Sequence, residues 1–151
     1  MRPTQALQLR PQPARPGMGQ LSLGASTEIE VPGVLLAAQF RCAAGYLALT
    51  TQDSPFEETL HISLFDEGLH LLDAIDLGQA YTGACLEQLE LLDDERLRFT
   101  FFSGDRWELR LRARPSLGGA PLPQPARRTR MFWRPRHLDL QLLVPPPGDT
   151  P

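Results

Sequence analysis

Apolar and polar residues alternate along much of this chain, and the alternation is strictest between Glu87 and Arg112. Two runs in this segment, residues 96–102 and 106–112, place apolar side chains at alternate positions. Such a period predicts β-strands with one buried face, and one register aligns three of them as an antiparallel meander. Slipping that register by one residue would turn every side chain to the opposite face, so the pattern fixes the pairing. The predicted pairs are Leu89 with Phe99, Leu91 with Leu97, Glu90 with Arg98, Phe101 with Trp107, Phe99 with Leu109, Leu97 with Leu111 and Thr100 with Glu108.

A second hairpin is predicted between residues 60 and 77, with its turn at residues 66–68. Both of its faces carry apolar residues, because Phe65 and Leu69 fall on the same side as His61. We therefore expect this hairpin to be more enclosed than the meander. Its predicted pairs are Ile62 with Leu72, Leu60 with Ala74 and His61 with Asp73.

Shorter stretches complete the set of predicted strands. Residues 34–42 are almost entirely apolar, which indicates a strand covered on both faces, and residues 127–133 and 138–143 alternate again. Residues 84–92 carry some helical spacing, so a short helix before Leu89 is an alternative. Short strands with turn signals about every 8–12 residues predict an all-β fold, namely an antiparallel, hairpin-built β-sandwich or small barrel of roughly eight to ten strands.

Proline and glycine mark the limits of the predicted domain. The chain has 15 prolines and 12 glycines in 151 residues, a length that suits one domain. Residues 1–26 and 145–151 are rich in proline and lack periodicity, so we expect extended or disordered Pro-rich termini. A single all-β domain should span residues 27–144, interrupted by a flexible Pro/Gly-rich loop at residues 115–126.

Charge is distributed unevenly along the chain. The net charge is −3, yet residues 110–136 carry eight arginines and no acidic residue, whereas residues 27–108 hold most of the acids. A chain polarised in this way favours association with a protein partner or with itself. Exposed sheet edges together with self-complementary charge would suit a homodimer.

The basic segment at residues 127–136 interleaves guanidinium groups with aromatic rings. We interpret it, together with a sheet edge, as the contact surface of a non-catalytic protein-interaction or accessory module. Nucleic acid is an alternative partner, because such a segment can grip phosphates and stack on bases, but the pI near 5.6 argues against it. A second alternative is a small-ligand-binding barrel or sandwich whose pocket is lined by Phe99, Phe101 and Trp107. The residues predicted to form the contact surface are Arg127, Arg128, Arg130, Phe132, Trp133, Arg134 and Arg136.

His61, Ser63 and Asp73 invite a catalytic hypothesis, because they would share one face of the second hairpin. Two residues along a strand place the serine hydroxyl about 7 Å from the imidazole, too far for a nucleophile–base hydrogen bond. No nucleophile-elbow motif surrounds the serine. We therefore expect no catalytic site and no enzyme activity, and we interpret His61 and Asp73 as a cross-strand hydrogen-bonded pair.

The three histidines and two cysteines lack the short, repeated spacings of metal sites, so we expect no metal and no cofactor. The N-terminal residues lack the continuous apolar segment of a secretory signal, and no apolar run approaches the roughly 20 residues that span a bilayer. These features predict a soluble, cytoplasmic protein with reduced thiols and no membrane association.

Overall fold

Antiparallel β-strands account for the regular structure of the described part of the chain. The computed structural model describes residues 1–54, 56–102, 104–119, 121–129 and 134–143. Within these ranges it contains thirteen strands: β1 (Arg2–Pro3), β2 (Leu7–Pro11), β3 (Met18–Leu23), β4 (Thr27–Pro32), β5 (Leu35–Arg41), β6 (Gly45–Thr51), β7 (Thr59–Asp66), β8 (Leu71–Gly78), β9 (Glu87–Leu91), β10 (Arg96–Thr100), β11 (Arg106–Ser116), β12 (Ala126–Arg128) and β13 (Arg136–Leu143).

The strands form three antiparallel sheets. A six-stranded central sheet has the order β1-β5-β6-β7-β8-β12, and a four-stranded meander sheet has the order β13-β11-β10-β9. The N-terminal sheet consists of β2-β3-β4. Most neighbours in space are consecutive in the chain, which confirms the predicted all-β, hairpin-built fold. Of the two predicted architectures the sheets form a sandwich, with thirteen described strands where about eight to ten were expected.

The central sheet packs against a different sheet on each face. On one face, Ile62 belongs to the same apolar cluster as Phe99 and Trp107 of the meander sheet. On the other face, Phe65 belongs to a smaller cluster with Leu21 of the N-terminal sheet. Side chains alternate between the faces of a strand, so β7 needs apolar residues at successive positions. It is buried continuously from residue 60 to residue 65, which confirms that this hairpin is more enclosed than the meander.

The apolar run at residues 34–42 is less covered than expected. Leu35 and Ala37 of β5 are exposed, although Phe40 near the other end is buried. On its outer side, β5 pairs only with the two-residue strand β1. The prediction of cover on both faces is therefore wrong for much of β5 and suits the interior strand β7 instead.

The meander forms with the predicted register near the turn of its first hairpin, from β9 to β10, and with a shifted register in its second, from β10 to β11. Leu91 lies opposite Leu97 as expected, whereas Phe99 lies opposite Trp107 instead of Leu109. The hairpin of β10 and β11 has its turn earlier in the chain than predicted, because the Phe101 N–H donates to Asp105 O at 3.1 Å. A shift of two residues leaves every side chain on its predicted face, and Phe99, Phe101 and Trp107 are all fully buried, as are Leu97 and Leu109.

Strand β9 departs from its prediction in two ways. Residues 84–86 form no helix and residues 87–91 form a strand, so the alternative of a short helix before Leu89 is wrong. Gln88 has φ +51°, and the register shifts beside it, so the predicted pairing of Leu89 with Phe99 is not formed. Leu89 and Leu91 are both exposed, because β9 is an edge strand of the meander sheet.

The hairpin of β7 and β8, predicted between residues 60 and 77, pairs in a register three residues away from the predicted one. His61 lies opposite Asp76 instead of Asp73. The turn is two residues longer than expected, because the Asp66 carboxylate accepts the N–H groups of Gly68 and His70 at 2.9 Å each. An irregularity between residues 64 and 65 adds the third residue. An odd shift reverses the faces of β8, so the predicted pairs are wrong: Ile62 packs opposite Ile75 and Leu60 opposite Leu77.

Residues 1–26 are extended, as predicted, but they form strands β1 to β3 and are not a tail. Leu7 and Leu21 are buried in the cluster that covers one face of the central sheet. The Gln39 side chain also clamps the backbone of Leu7, accepting its N–H at 2.9 Å and donating to its carbonyl at 3.1 Å. Folded structure therefore precedes Thr27. The loop predicted at residues 115–126 is shorter at both ends, because β11 continues through Ser116 and β12 begins at Ala126. Residues 145–151 lie outside the described ranges.

Candidate interaction surface

The predicted contact surface does not form one continuous strand. Arg127 and Arg128 lie in the three-residue strand β12, at an edge of the central sheet, and Arg136 begins β13 in the meander sheet. Arg134 is exposed just before β13. The remaining predicted residues, Arg130, Phe132 and Trp133, lie outside the described part of the chain.

Arg128 forms a buried ion pair with Asp73, here called the closed pair. Its Nη1 lies 2.5 Å from Asp73 Oδ2, and the two side chains are 11% and 1% exposed. The same carboxylate oxygen accepts the N–H groups of His137 at 2.9 Å and Leu138 at 3.0 Å, while Arg128 Nη2 donates to Leu138 O at 2.9 Å. The closed pair therefore fastens the central sheet to β13 and offers little surface to a partner.

Arg127 forms a looser contact with Asp76, here called the open pair. Arg127 Nη2 lies 3.8 Å from Asp76 Oδ2, and the side chains are 78% and 13% exposed. Asp76 Oδ1 is 2.8 Å from His61 Nδ1, and His61 Nε2 is 2.8 Å from the Gln52 amide nitrogen. Thr50 continues this polar row across the next strand. Strand alternation turns the row away from the meander sheet. Thr50 and His61 are buried within it, whereas Arg127 at its end stands in solvent.

The structure does not assemble the catalytic set considered from the sequence. Asp73 faces the meander sheet, whereas His61 faces the other side and bonds Asp76. Ser63 lies opposite Ala74, and both imidazole nitrogens of His61 already have a hydrogen-bond partner. The proposed His61–Asp73 bond is therefore wrong, because the longer turn after β7 moves Asp73 along the strand.

A pocket of about 360 Å³ opens at the Arg127 end of the polar row. Three connections meet there: residues 52–58 between β6 and β7, residues 79–86 between β8 and β9, and the end of the loop before β12. Loops brought together by a rigid sheet commonly carry binding residues. The pocket is lined by Glu57, Thr59, Asp76, Gly78, Gln79, Ala80, Pro125 and Arg127.

Two aromatic residues project from the loops beside this pocket. Phe56 is 87% exposed next to the lining residue Glu57, and Tyr81 is 93% exposed next to Ala80. The first loop is held by the buried Glu58 carboxylate, which accepts the N–H groups of Gln52 at 2.6 Å and Ser54 at 2.9 Å. Exposed aromatic rings on a fixed loop are typical of contact sites. We call Asp53, Phe56, Glu57 and Tyr81 the aromatic loop end.

A group of arginines occupies the outer face of the meander sheet. Arg112 is oriented by Asp139, with Nε 2.6 Å from Oδ2 and Nη2 3.3 Å from Oδ1, and its Nη1 donates to Ser116 Oγ at 2.8 Å. A side chain at Gly119 would meet Arg112 Nη2 at 3.5 Å and Arg136 Nη1 at 3.2 Å, so these two guanidinium groups converge. We call Arg110, Arg112, Arg114 and Arg136 the arginine face.

The arginine face borders an open depression of about 410 Å³. Its lining residues are Arg110, Arg112, Ala113, Arg114 and Asp139, so three arginines meet one carboxylate. Arg110 and Arg114 are exposed. Arg96 lies opposite Arg110 on the neighbouring strand, but its guanidinium group is paired with Asp93 at 2.8 Å, so it neither neutralises Arg110 nor adds much charge to the face.

Phe99, Phe101 and Trp107, the residues of the predicted ligand pocket, have no accessible surface. The Trp107 Nε1–H donates to Phe101 O at 3.2 Å inside the core. These rings therefore fill the space between the two larger sheets and line no pocket that solvent can reach.

Other chemistry is limited in the described part of the chain. Its histidine, cysteine and carboxylate side chains form no group of three that could hold a metal ion. Cys42 is buried and Cys85 is exposed, and both are free thiols. None of the described residues forms a helix with the length and apolar character needed to cross a membrane.

Sequence reasoning missed the arginine face and the aromatic loop end. The signal for the first was present, because Arg110 and Arg112 alternate with Leu109 and Leu111 and so must share the wet face of β11. The signal for the second was weaker: an isolated Phe56 within a polar loop could equally have packed inward.

No protein-family model, curated protein or solved structure matches this chain. Its function must therefore be argued from its own surfaces.

Proposed function

We propose that this protein is a non-catalytic protein-interaction module that binds an acidic protein segment on its arginine face. The observation that supports this proposal is a local excess of guanidinium groups. Arg110 and Arg114 are exposed, and neither side chain has a hydrogen bond or ion pair within the described residues. Such groups recognise carboxylates through two parallel hydrogen bonds, which gives both affinity and orientation.

The contrast with the rest of the same sheet face supports the proposal. Arg98 is 3.0 Å from Glu108, and Arg106 is 2.8 Å from Glu90, so the arginines there are matched by acids. At the arginine face, the acidic residue Asp139 is already engaged with Arg112. An incoming carboxylate would therefore meet a positive field with little local compensation.

Pre-orientation of Arg112 supports the same role. Two oxygens of Asp139 and the hydroxyl of Ser116 already hold its guanidinium group. A side chain fixed before binding loses less conformational entropy when the partner arrives. Arg112 would thus serve as the ordered base of the site, with Arg110 and Arg114 closing on the ligand from either side.

A protein partner suits the molecule better than nucleic acid does. The chain carries a net charge of −3, and paired acids occupy the neighbouring part of the same sheet face. A duplex would need an extended basic track, because its phosphates continue beyond one local patch. A short acidic segment needs only the patch itself.

The test compares Arg110→Glu/Arg114→Glu with Arg2→Glu/Arg10→Glu, an equal charge change at exposed positions of other sheets. Binding of a fluorescent oligo-glutamate peptide and of single-stranded DNA is measured by anisotropy at low and physiological salt. We expect peptide affinity to fall at least about tenfold in the first variant, and to stay close to wild type in the control.

Three results would contradict the proposal. Equal losses in both variants would mean that only net charge matters. Unchanged peptide binding in the arginine-face variant would remove the surface from consideration. Tighter binding of DNA than of peptide at physiological salt would favour the nucleic-acid alternative.

A further inference from the structure

We propose that the acidic partner of the arginine face is the aromatic loop end of a second copy of this chain. The inference rests on the proposed function, because it names the occupant of the same surface. Its basis is the match between two surfaces of one molecule that the fold holds apart.

The chemistry of the aromatic loop end is what arginine side chains bind. Asp53 and Glu57 are exposed acids beside the exposed rings of Phe56 and Tyr81, and Asp76 adds a carboxylate at the neighbouring pocket. Guanidinium groups pair with carboxylates and also stack on aromatic faces. One basic residue, Arg127, shares this region, so it keeps an acidic balance.

Both surfaces are ordered before contact. Buried Glu58 holds the loop that carries Phe56, and Asp139 with Ser116 holds Arg112. Tyr81 has φ +59° in a short turn in which the Thr82 N–H donates to Gln79 O at 3.2 Å. A bulky residue in this left-handed conformation is costly, and such strain is concentrated at functional positions.

The pocket beside the aromatic loop end and the arginine face lie on opposite sides of the sandwich. Asp76 and Arg127 are on the face of the central sheet that is turned away from the meander sheet. Arg110 is on the outer face of the meander sheet, since its neighbours Leu109 and Leu111 point into the core. The connection that carries Tyr81 passes beside Thr100, Phe102 and Gly104 at one end of the meander sheet, whereas Arg110 pairs with Arg96 toward its other end. The fold thus holds the two surfaces apart, and one chain cannot join its own.

A contact between two different surfaces adds copies head to tail. Each copy would offer one arginine face and one aromatic loop end, and a growing chain would leave one of each at its ends. This arrangement differs from a symmetric dimer, in which the same surface occurs on both sides of the contact. The difference makes the proposal testable by mixing variants.

The experiment uses Arg110→Glu/Arg114→Glu, which removes the basic surface, and Phe56→Ser/Tyr81→Asn, which removes the aromatic one. Asparagine tolerates the left-handed backbone at residue 81. Molar mass is measured by light scattering over a concentration series at low and physiological salt, and circular dichroism checks that each variant is folded. Controls are Arg2→Glu/Arg10→Glu for charge and Leu89→Ser for an exposed apolar residue.

We expect the mass of the wild-type protein to rise with concentration and to fall with added salt, because salt screens exposed charges. Each surface variant alone should remain monomeric, with association at least about tenfold weaker than wild type, while both controls behave as wild type. An equimolar mixture of the two variants should form dimers and nothing larger, since only one intact pair of surfaces remains.

The proposal is overturned if the wild-type protein stays monomeric up to about 1 mM, the upper range of weak association. It is also overturned if either folded variant assembles like wild type, or if their mixture stays monomeric. The measurement of oligo-glutamate binding is independent of these results. A monomeric protein whose arginine face still binds that peptide would retain the proposed function and lose only the self-association.

Discussion

Two aspartate–arginine pairs join the same two strands, β8 and β12, and they have opposite characters. Asp73 and Arg128 approach to 2.5 Å and are almost fully buried. Asp76 and Arg127 are 3.8 Å apart, and the arginine stands in solvent. The residue types and the strand pair are the same, so neither explains the difference.

The difference comes from the faces on which the pairs lie. Asp73 and Arg128 point toward the meander sheet, where the N–H groups of His137 and Leu138 complete the coordination of the carboxylate. Asp76 and Arg127 point the other way, toward the loop-end pocket. Because side chains alternate along β12, Arg128 lies in the core and the adjacent Arg127 lies at the surface.

Burial also changes what each pair contributes. Removing a carboxylate and a guanidinium group from water is costly, and the closed pair offsets the cost through several hydrogen bonds at short range. The open pair is screened by water, and a contact of this kind contributes little stability. Arg127 can therefore exchange partners without cost to the fold, whereas Arg128 cannot.

The substitution Asp73→Ala should have the largest effect on the free energy of unfolding, because it removes the carboxylate of the closed pair. The change leaves the Arg128 charge buried and deprives the backbone N–H groups of Ala74, His137 and Leu138 of their side-chain acceptor. We therefore expect a loss of about 3–5 kcal/mol in the free energy of unfolding. Urea denaturation followed by tryptophan fluorescence measures it.

The matched control is Asp73→Leu/Arg128→Met, which removes both charges and keeps apolar volume. We expect it to be more stable than Asp73→Ala but less stable than wild type, because His137 and Leu138 still lose their acceptor. A loss below about 1 kcal/mol for Asp73→Ala would mean that the closed pair does not fasten the sheets.

Strand alternation predicted much of the fold, but not how the strands meet. The burial of Phe99 and Trp107 followed from sequence, because a two-residue register shift leaves both on the same face. The pairing of His61 failed, because it depended on a turn whose length is set by hydrogen bonds to Asp66. Sequence periodicity does not reveal such a turn.

The candidate surfaces were predicted only in part, for a similar reason. Alternation alone places Arg127 and Arg128 on opposite faces of a strand. Which face becomes buried depends on β13, which is paired with distant β11 and meets β8 only through tertiary packing. The leucines of residues 1–26 are a second case, because Leu7 and Leu21 gain their partners from the far side of the central sheet.

A third aspartate, Asp66, distinguishes the effect of hydrogen bonding on stability from the effect of burial. Like Asp73 it accepts backbone N–H groups through its carboxylate, here those of Gly68 and His70, but it lies in an exposed turn. The N–H of His70, followed by that of Gly68, holds the pKa of Asp66 below its ordinary value. A lowered folded-state pKa contributes stability above the unfolded value of about 3.9 and loses it as pH falls further.

We therefore expect Asp66→Asn to be less stable than wild type at neutral pH, by less than Asp73→Ala. The gap should close as the pH falls from about 5 through the lowered folded-state pKa, because protonated aspartate resembles asparagine. Urea denaturation at a series of pH values measures the gap. A gap that widens in acid would contradict the sign, and a loss equal to that of Asp73→Ala would show that burial is not the deciding difference.

Arg127→Ala should have the smallest effect of the three. The guanidinium group is 3.8 Å from Asp76 and largely in solvent, so we expect a change within about 0.5 kcal/mol in the free energy of unfolding. Asp76 keeps its 2.8 Å contact with His61 and is not left alone by the change. The neighbouring substitution Arg128→Ala is the control in the same urea experiment. It removes an equal charge from the same strand, but it leaves the buried Asp73 carboxylate without its arginine partner. A loss above about 1 kcal/mol for Arg127→Ala would mean that both arginines anchor β12, and the distinction between a closed and an open pair would fail.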